Sequence, residues 1–203
     1  MKCSAPEERN LFRKQYGLTD KWVVGIVARF SEQKNPFFLL EAFAQLTKID
    51  PDAFLLWVGE GELMEDVQAR AREIGIADRI LFFGKTNQVA RCLWAMDVFC
   101  LPSRFEGNPV SVIEAQAAGC MCLVSDRVTE QCKVSENLRF LPIDQGTNIW
   151  VETMQTAYQI CDPFEATRQV AQNGYDAVAL SVRVQQLLLK ALYQANEEDE
   201  IVP

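Results

Sequence analysis

Short apolar runs rich in β-branched and aromatic residues return along this chain at regular intervals. Each is followed by a stretch whose apolar residues repeat at helical spacing, and this alternation restricts the fold more than any other feature. Residues 22–28 read as a buried strand, and behind Pro36 the residues Leu39, Leu40, Phe43 and Leu46 mark one face of a helix. Residues 53–58 repeat the design. They end in Gly59-Glu60-Gly61 and lead into a helix whose face is Leu63, Val67, Ala71 and Ile74, with Gly75 as its stop. A third strand is expected at 79–83, then a short helix through Val89, Leu93 and Met96, and a fourth strand at 97–101. A helix starting near Pro109 precedes a fifth strand at 120–124, and residues 138–141 make a shorter sixth.

Continuous apolar strands separated by amphipathic helices imply a parallel sheet covered on both faces, so the expected fold is α/β, a Rossmann-like doubly wound sheet of about six strands. Ligands in such sheets bind beyond the carboxyl ends of the strands. From Gln145 onward the pattern is helical: one helix through about Cys161, another over 164–173, and a last one from about Tyr175 to Ala195 that is apolar around much of its circumference. The expected organisation is one domain over residues 1–195 and an acidic tail over 196–203.

With 203 residues the chain has room for one full α/β domain, since domains run to roughly 100–200 residues. A net charge of -8 argues against general binding to nucleic acid or to an anionic membrane surface, so any phosphate site must be a local basic pocket. The absence of histidine removes every His-dependent triad and the commonest general base. Cysteines 3, 92, 100, 120, 122, 132 and 161 are odd in number, with no CxxC pair. Together with the lack of a secretory leader, that suits a reducing cytoplasm. Cys120 and Cys122 alternate on a strand and read as packing, and no metal-ligand cluster is visible. The apolar runs fall short of the roughly 20 residues of a membrane span.

The residues able to carry chemistry all follow predicted strands. Arg29 and Lys34 leave the first strand and flank the next helix, where a planar fork of donors and a compact ammonium can clamp a diphosphate as it departs. The alternative is a pair of solvated surface cations. Glu106 and Gly107 lie in the loop after the fourth strand, with Pro109 suited to the first helical position and Ser111 in the first turn. The free amides of that helix start can seat an anion. Glu114, further along, can accept the hydroxyls of a ribose. Otherwise Glu106 is a helix-start acid and Glu114 a surface residue. A carboxylate pair also serves glycoside hydrolysis, but a hydrolase has no use for a cationic diphosphate cradle. Gly59 belongs to a Gly-x-Gly turn that lacks the third glycine of a dinucleotide fingerprint, which disfavours a nicotinamide enzyme and leaves plain turn service open.

Taken in order, residues 27–30, Lys34-Asn35, 56–61, Asp97 to Ser103, and Phe105-Glu106-Gly107 to Glu114-Ala115 resemble the C-terminal domain of the group 1 (family 4) glycosyltransferases. The resemblance implies one half of a GT-B fold, two Rossmann-like domains facing across a cleft. It implies diphosphate contacts for Arg29 and Lys34, a sugar contact for Glu106, and a ribose contact for Glu114. Gly107, Asn108, Val110 and Ser111 would offer donor contacts, largely through backbone amides, with Gly59 lining the same site. It further implies retaining transfer from a nucleoside-diphosphate sugar, with a UDP-sugar favoured, and neither a metal nor another cofactor. The acceptor would be a glycan or lipid-linked molecule in polysaccharide assembly.

Asn108 and Met121 stand where the family commonly has an apolar residue and a proline, and the paired glycines usual after the fifth strand are missing around residues 126–130. The family also needs an N-terminal acceptor domain, which is expected as the missing partner, and the isolated chain is expected to be inactive. A cytoplasmic location is expected, with room for a peripheral place at the inner membrane face in the full-length enzyme. The competing reading is a stand-alone nucleotide-sugar-binding module without catalysis.

Overall fold

The computed structural model describes residues 5–157 and 163–175. Six strands form the sheet: β1 (Trp22–Val27), β2 (Ala53–Val58), β3 (Ile80–Gly84), β4 (Val98–Leu101), β5 (Met121–Ser125) and β6 (Leu138–Leu141). Their order is β3-β2-β1-β4-β5-β6, and every neighbouring pair is parallel. The chain therefore winds outward from β1 to β3, returns across the sheet to β4 beside β1, and winds outward the other way.

Seven α-helices accompany the strands among the described residues: α1 (Ala5–Gln15), α2 (Pro36–Ile49), α3 (Met64–Glu73), α4 (Val89–Ala95), α5 (Val110–Ala117), α6 (Asn148–Thr156) and α7 (Pro163–Val170). They pack in two sets, α2 with α3 and α6, and α4 with α1 and α5, α7 lying on α5. Right-handed crossovers require this. The connections running from β1 to β3 place their helices on one face, and those from β3 to β5 place theirs on the other. Between these layers the edge strands β3 and β6 are partly exposed, while the central strands β1, β2, β4 and β5 are buried on both sides, with Trp57, Phe99, Leu55 and Ile26 fully enclosed. That accounts for strands that read as unbroken apolar runs rather than alternating ones. At Gly25 an added Cβ would lie 2.1 Å from Met96 Sδ, so glycine is what lets the end of α4 settle onto β1.

Helix α1 was not evident from the sequence. Its residues are mostly polar, and only Phe12 and Arg13 among those described are buried, too few to make a periodic stripe. Tertiary contacts hold it instead. Phe12 packs against Tyr16 and Phe83, with ring centroids 4.5 and 5.6 Å away. Arg9 and Arg13 each reach Asp97 at 2.5 Å. Arg9 also donates to the carbonyls of Trp94 and Met96, and Arg13 to that of Ala95. Side chains from α1 thus satisfy carbonyls at the end of α4 that have no partner within the helix.

The strands expected at 22–28, 79–83, 97–101 and 120–124 and the helix through Leu63 and Ile74 each shift by one residue at one or both ends, and so do two further helix boundaries. Pro109 is the extended residue before α5, with φ -74° and ψ 100°, and the helix begins at Val110. Met96 is likewise extended and lies just past α4. The expected helix through Cys161 runs only over Asn148–Thr156 within the described residues, and the expected last helix and the acidic tail lie outside them. The 164–173 helix is present as α7, followed by a wider turn over Ala171–Tyr175. The five described cysteines are buried and free. Burial pushes the thiols of Cys92 and Cys132 up to about 11 and that of Cys120 to about 12, so they remain neutral packing groups.

Candidate functional site

Because β1 and β4 are neighbours whose following connections leave in opposite directions, the loops after them flank the point where the strand order reverses, the place where doubly wound sheets hold their ligands. The loop after β1 makes a single turn of 3-10 helix at Glu32–Lys34 and passes through Asn35 at φ 54° into α2. Asn35 is the sole non-glycine residue with positive φ among those described. Asparagine tolerates this left-handed region better than most side chains, and Pro36 supplies a preset first helical residue. The sharp exit fixes where Lys34 emerges.

The loop after β4 is laced to this one. Arg104 N–H donates to the Gln33 carbonyl at 2.8 Å, and the Gln33 side chain donates to the Phe105 carbonyl at 3.0 Å. On its other side Glu106 pairs as an isolated parallel bridge with Val128, and its carbonyl accepts from Thr129 N–H. Glu106 is thereby held by backbone on both flanks, and its carboxylate forms an ion pair with Lys34. The lysine and glutamate side chains are only 15% and 10% exposed. Glu106 is therefore not a helix-start acid: it stands before the helix and faces the lysine. Gln33 carries no local signal of this role, because it ties two loops that are remote in sequence.

Arg29 is exposed, and its side chain forms no ion pair or hydrogen bond among the described residues. It leaves β1 beside the lysine turn as a free cation. No side chain caps the start of α5, where Pro109 already holds Val112 N–H through its carbonyl. The amides of Val110 and Ser111 precede that bond, and the first amides of a helix have no partner within it. Gly107 and Asn108 are exposed in the same loop, and Phe105 and Val110 present large apolar side chains at 62% and 63% exposure.

Glu114 takes no part in that ion pair. It borders a cavity of about 250 Å³ between α4, α5 and α7, together with Val89, Leu93, Trp94 and Thr167. Partial desolvation raises its carboxyl above the ordinary range. Gly59 belongs to packing as well as to the rim. It has φ 140°, and an added Cβ would lie 2.1 Å from the Ala28 carbonyl oxygen; at Gly61 the clash would be with the Phe30 backbone at 2.4 Å. The Gly-x-Gly turn is thus where the loop after β2 lies directly on the loop that carries Arg29. Phe30 N–H donates to the Glu60 carbonyl and Leu63 N–H to the Phe30 carbonyl across this contact. No helix among the described residues is long and apolar enough to cross a membrane.

Fold and site together define a Rossmann-like domain with a cation and acid pair at its topological switch point. Residues 8–142 match the family model for glycosyl transferases group 1, and the chain belongs to that family. It is 34% identical over 161 residues to the EpsF protein of Bacillus subtilis, covering 78% of this chain and 42% of that one. It is 36% identical over 118 residues to the UDP-Gal:alpha-D-GlcNAc-diphosphoundecaprenol alpha-1,3-galactosyltransferase of Escherichia coli, covering 57% of this chain and 30% of that one. Among solved structures, Anabaena Alr3699/HepE in complex with UDP-glucose superposes with a TM-score of 0.70 at 20% identity, over 94% of this chain and 54% of that one. WaaG, a glycosyltransferase involved in lipopolysaccharide biosynthesis, gives 0.74 at 17% identity, over 87% and 50%. These neighbours make the fold that of one half of a GT-B glycosyltransferase. The chain spans less than half the length of these curated relatives.

Proposed function

We propose that the chain is the donor-binding half of a retaining, metal-independent glycosyltransferase that takes its sugar from a UDP-sugar and serves polysaccharide assembly. One observation carries this reading: Lys34 and Glu106 meet across the β1 and β4 loops, beside the free cation Arg29 and the uncapped start of α5. In this reading the diphosphate lies on the first amides of α5, through Gly107, Asn108, Val110 and Ser111, with Arg29 and Lys34 on its oxygens. The ribose hydroxyls go to Glu114 at the mouth of the α4–α5 cavity, and the sugar hydroxyls to Glu106. Gly59 shapes the rim.

In the transfer step the bond from the anomeric carbon to the phosphate oxygen breaks, and the acceptor oxygen bonds to the same face of the sugar. The acceptor proton passes to the departing phosphate oxygen. Arg29 and Lys34 stabilise the negative charge that develops there, a contribution that is larger in the transition state than in the bound donor. The acceptor, a glycan or lipid-linked molecule, would be held by the N-terminal half of the enzyme at the cytoplasmic face of the membrane.

Calorimetric titration of UDP into the 203-residue chain, in buffer containing a chelator, tests the reading. Weak binding is expected. Arg29→Ala should cost about 1.5–3 kcal/mol of affinity, the worth of a charge-assisted hydrogen bond, while the melting temperature stays unchanged because the Arg29 side chain holds no ion pair or hydrogen bond among the described residues. No binding of any nucleoside diphosphate at millimolar concentration would sink the proposal.

A further inference from the structure

The two groups that the donor-site reading assigns to different parts of the donor, Lys34 to the diphosphate and Glu106 to the sugar, are each other's partner in this fold. Glu106 is the only ion-pair partner of Lys34 among the described residues. Neither backbone is free to drift. Lys34 is fixed by the 3-10 turn and the left-handed Asn35, and Glu106 by its bridge to Val128 and the Thr129 hydrogen bond. A diphosphate that engages Lys34 must therefore share it with, or take it from, a carboxylate that stays close by.

We infer that the Lys34–Glu106 ion pair makes the site select a sugar-bearing nucleoside diphosphate over the bare nucleoside diphosphate. The inference rests on the donor-site reading. A bare diphosphate that captures Lys34 strands the Glu106 carboxylate, nearly buried and now beside a second anion. Separating a desolvated pair by removing one partner is costly because the remaining charge is uncompensated. Sugar hydroxyls relieve that cost, since they donate charge-assisted hydrogen bonds to the freed carboxylate. The sugar is thus read through the diphosphate site. Once the sugar has been transferred the relief is lost, Glu106 competes again for Lys34, and the spent nucleotide is released.

The test compares the wild-type chain, Glu106→Gln, Lys34→Met and the double variant, each checked for folding by thermal melting. UDP is titrated into all four, with UDP-glucose, UDP-galactose and UDP-N-acetylglucosamine into the first two. Glu106→Gln keeps the side-chain shape but releases Lys34, so it should bind UDP about tenfold more tightly than wild type, a difference well within calorimetric resolution. The wild-type preference for its best sugar nucleotide over UDP should shrink towards unity in the same variant. In the Lys34→Met background the Glu106→Gln change should no longer improve UDP binding, because the gain acts through the lysine. If wild type binds UDP but Glu106→Gln binds it equally or less well, the inference fails and the donor-site reading stands. An equal gain with and without Lys34 also overturns it, since plain charge repulsion would then be the cause. Absence of nucleotide binding in all four removes both the inference and the reading beneath it.

Discussion

Asp97 ties three segments together at one position. Its two oxygens take Arg9 and Arg13 from α1, and Oδ2 also accepts the Val23 N–H at the start of β1 at 2.7 Å. Burial disfavours the charged form of the Arg13 guanidinium, and Asp97 opposes that effect. A buried cation of this kind depends on its counterion. Asp97→Ala should therefore cost about 3–5 kcal/mol, the usual penalty for breaking a buried pair from one side, read as a lowered midpoint in urea denaturation. Exposed pairs such as Lys21–Asp52 and Arg70–Glu73 should give at most about 1 kcal/mol when broken. An Asp97→Ala variant as stable as one of these would mean that α1 is not anchored through this residue.

Among the elements, the loops beyond the strands are less tolerant than the strands themselves. Gly25 lies inside β1 and Gly59 just after β2, and in both an added Cβ would come within 2.1 Å of another atom. At Gly25 that atom is the sulfur of a flexible methionine, whereas at Gly59 it is a backbone carbonyl oxygen, and Gly59 also has φ 140°. Gly25→Ala should cost about 1–3 kcal/mol as Met96 changes rotamer. Gly59→Ala should cost more, because about 1–3 kcal/mol of backbone strain adds to a clash that only movement of Ala28 can relieve. That movement carries Arg29 with it. Gly59→Ala should therefore also weaken UDP binding per folded molecule, while Gly25→Ala should leave it alone. Chemical denaturation and calorimetry on the two variants decide the matter, and equal effects on both measurements would show that the loop after β2 does not set the position of Arg29.

At the scale of the whole molecule the proposed donor site lies on a single Rossmann-like sheet of the described residues. Sugar transfer requires an acceptor hydroxyl held against the anomeric carbon away from water, and such positioning accounts for about 7–11 kcal/mol of barrier. The chain spans 42% of its Bacillus subtilis relative, and Phe105 and Val110 stand exposed between β4 and the first turn of α5. The 203-residue chain saturated with UDP-glucose and a glycan acceptor should accordingly release no UDP in an acceptor-dependent way, and turnover in a coupled UDP assay would overturn this. Much of the architecture was legible beforehand. The six strands and the helices between them were expected because strand and helix periodicities differ and the central strands are nearly continuous apolar runs. The loops that carry Arg29, Lys34, Glu106 and Gly59 were located because glycines, prolines and charges end those apolar runs. Helix α1 was not legible, since two arginines on one distant aspartate leave no periodic trace. The first residue of α5 was misplaced by one because proline suits both the cap and the first turn. The chain's own sequence determined which residues lie at the ends of strands, a local property of hydrophobic pattern and turn chemistry. Only the tertiary structure decided that β1 lies beside β4, that Lys34 pairs with Glu106, that Glu114 borders the cavity between α4, α5 and α7, and that Gly59 is confined by the Ala28 carbonyl. Those are contacts between segments far apart in the chain, and their free energies depend on burial and geometry that no single segment contains.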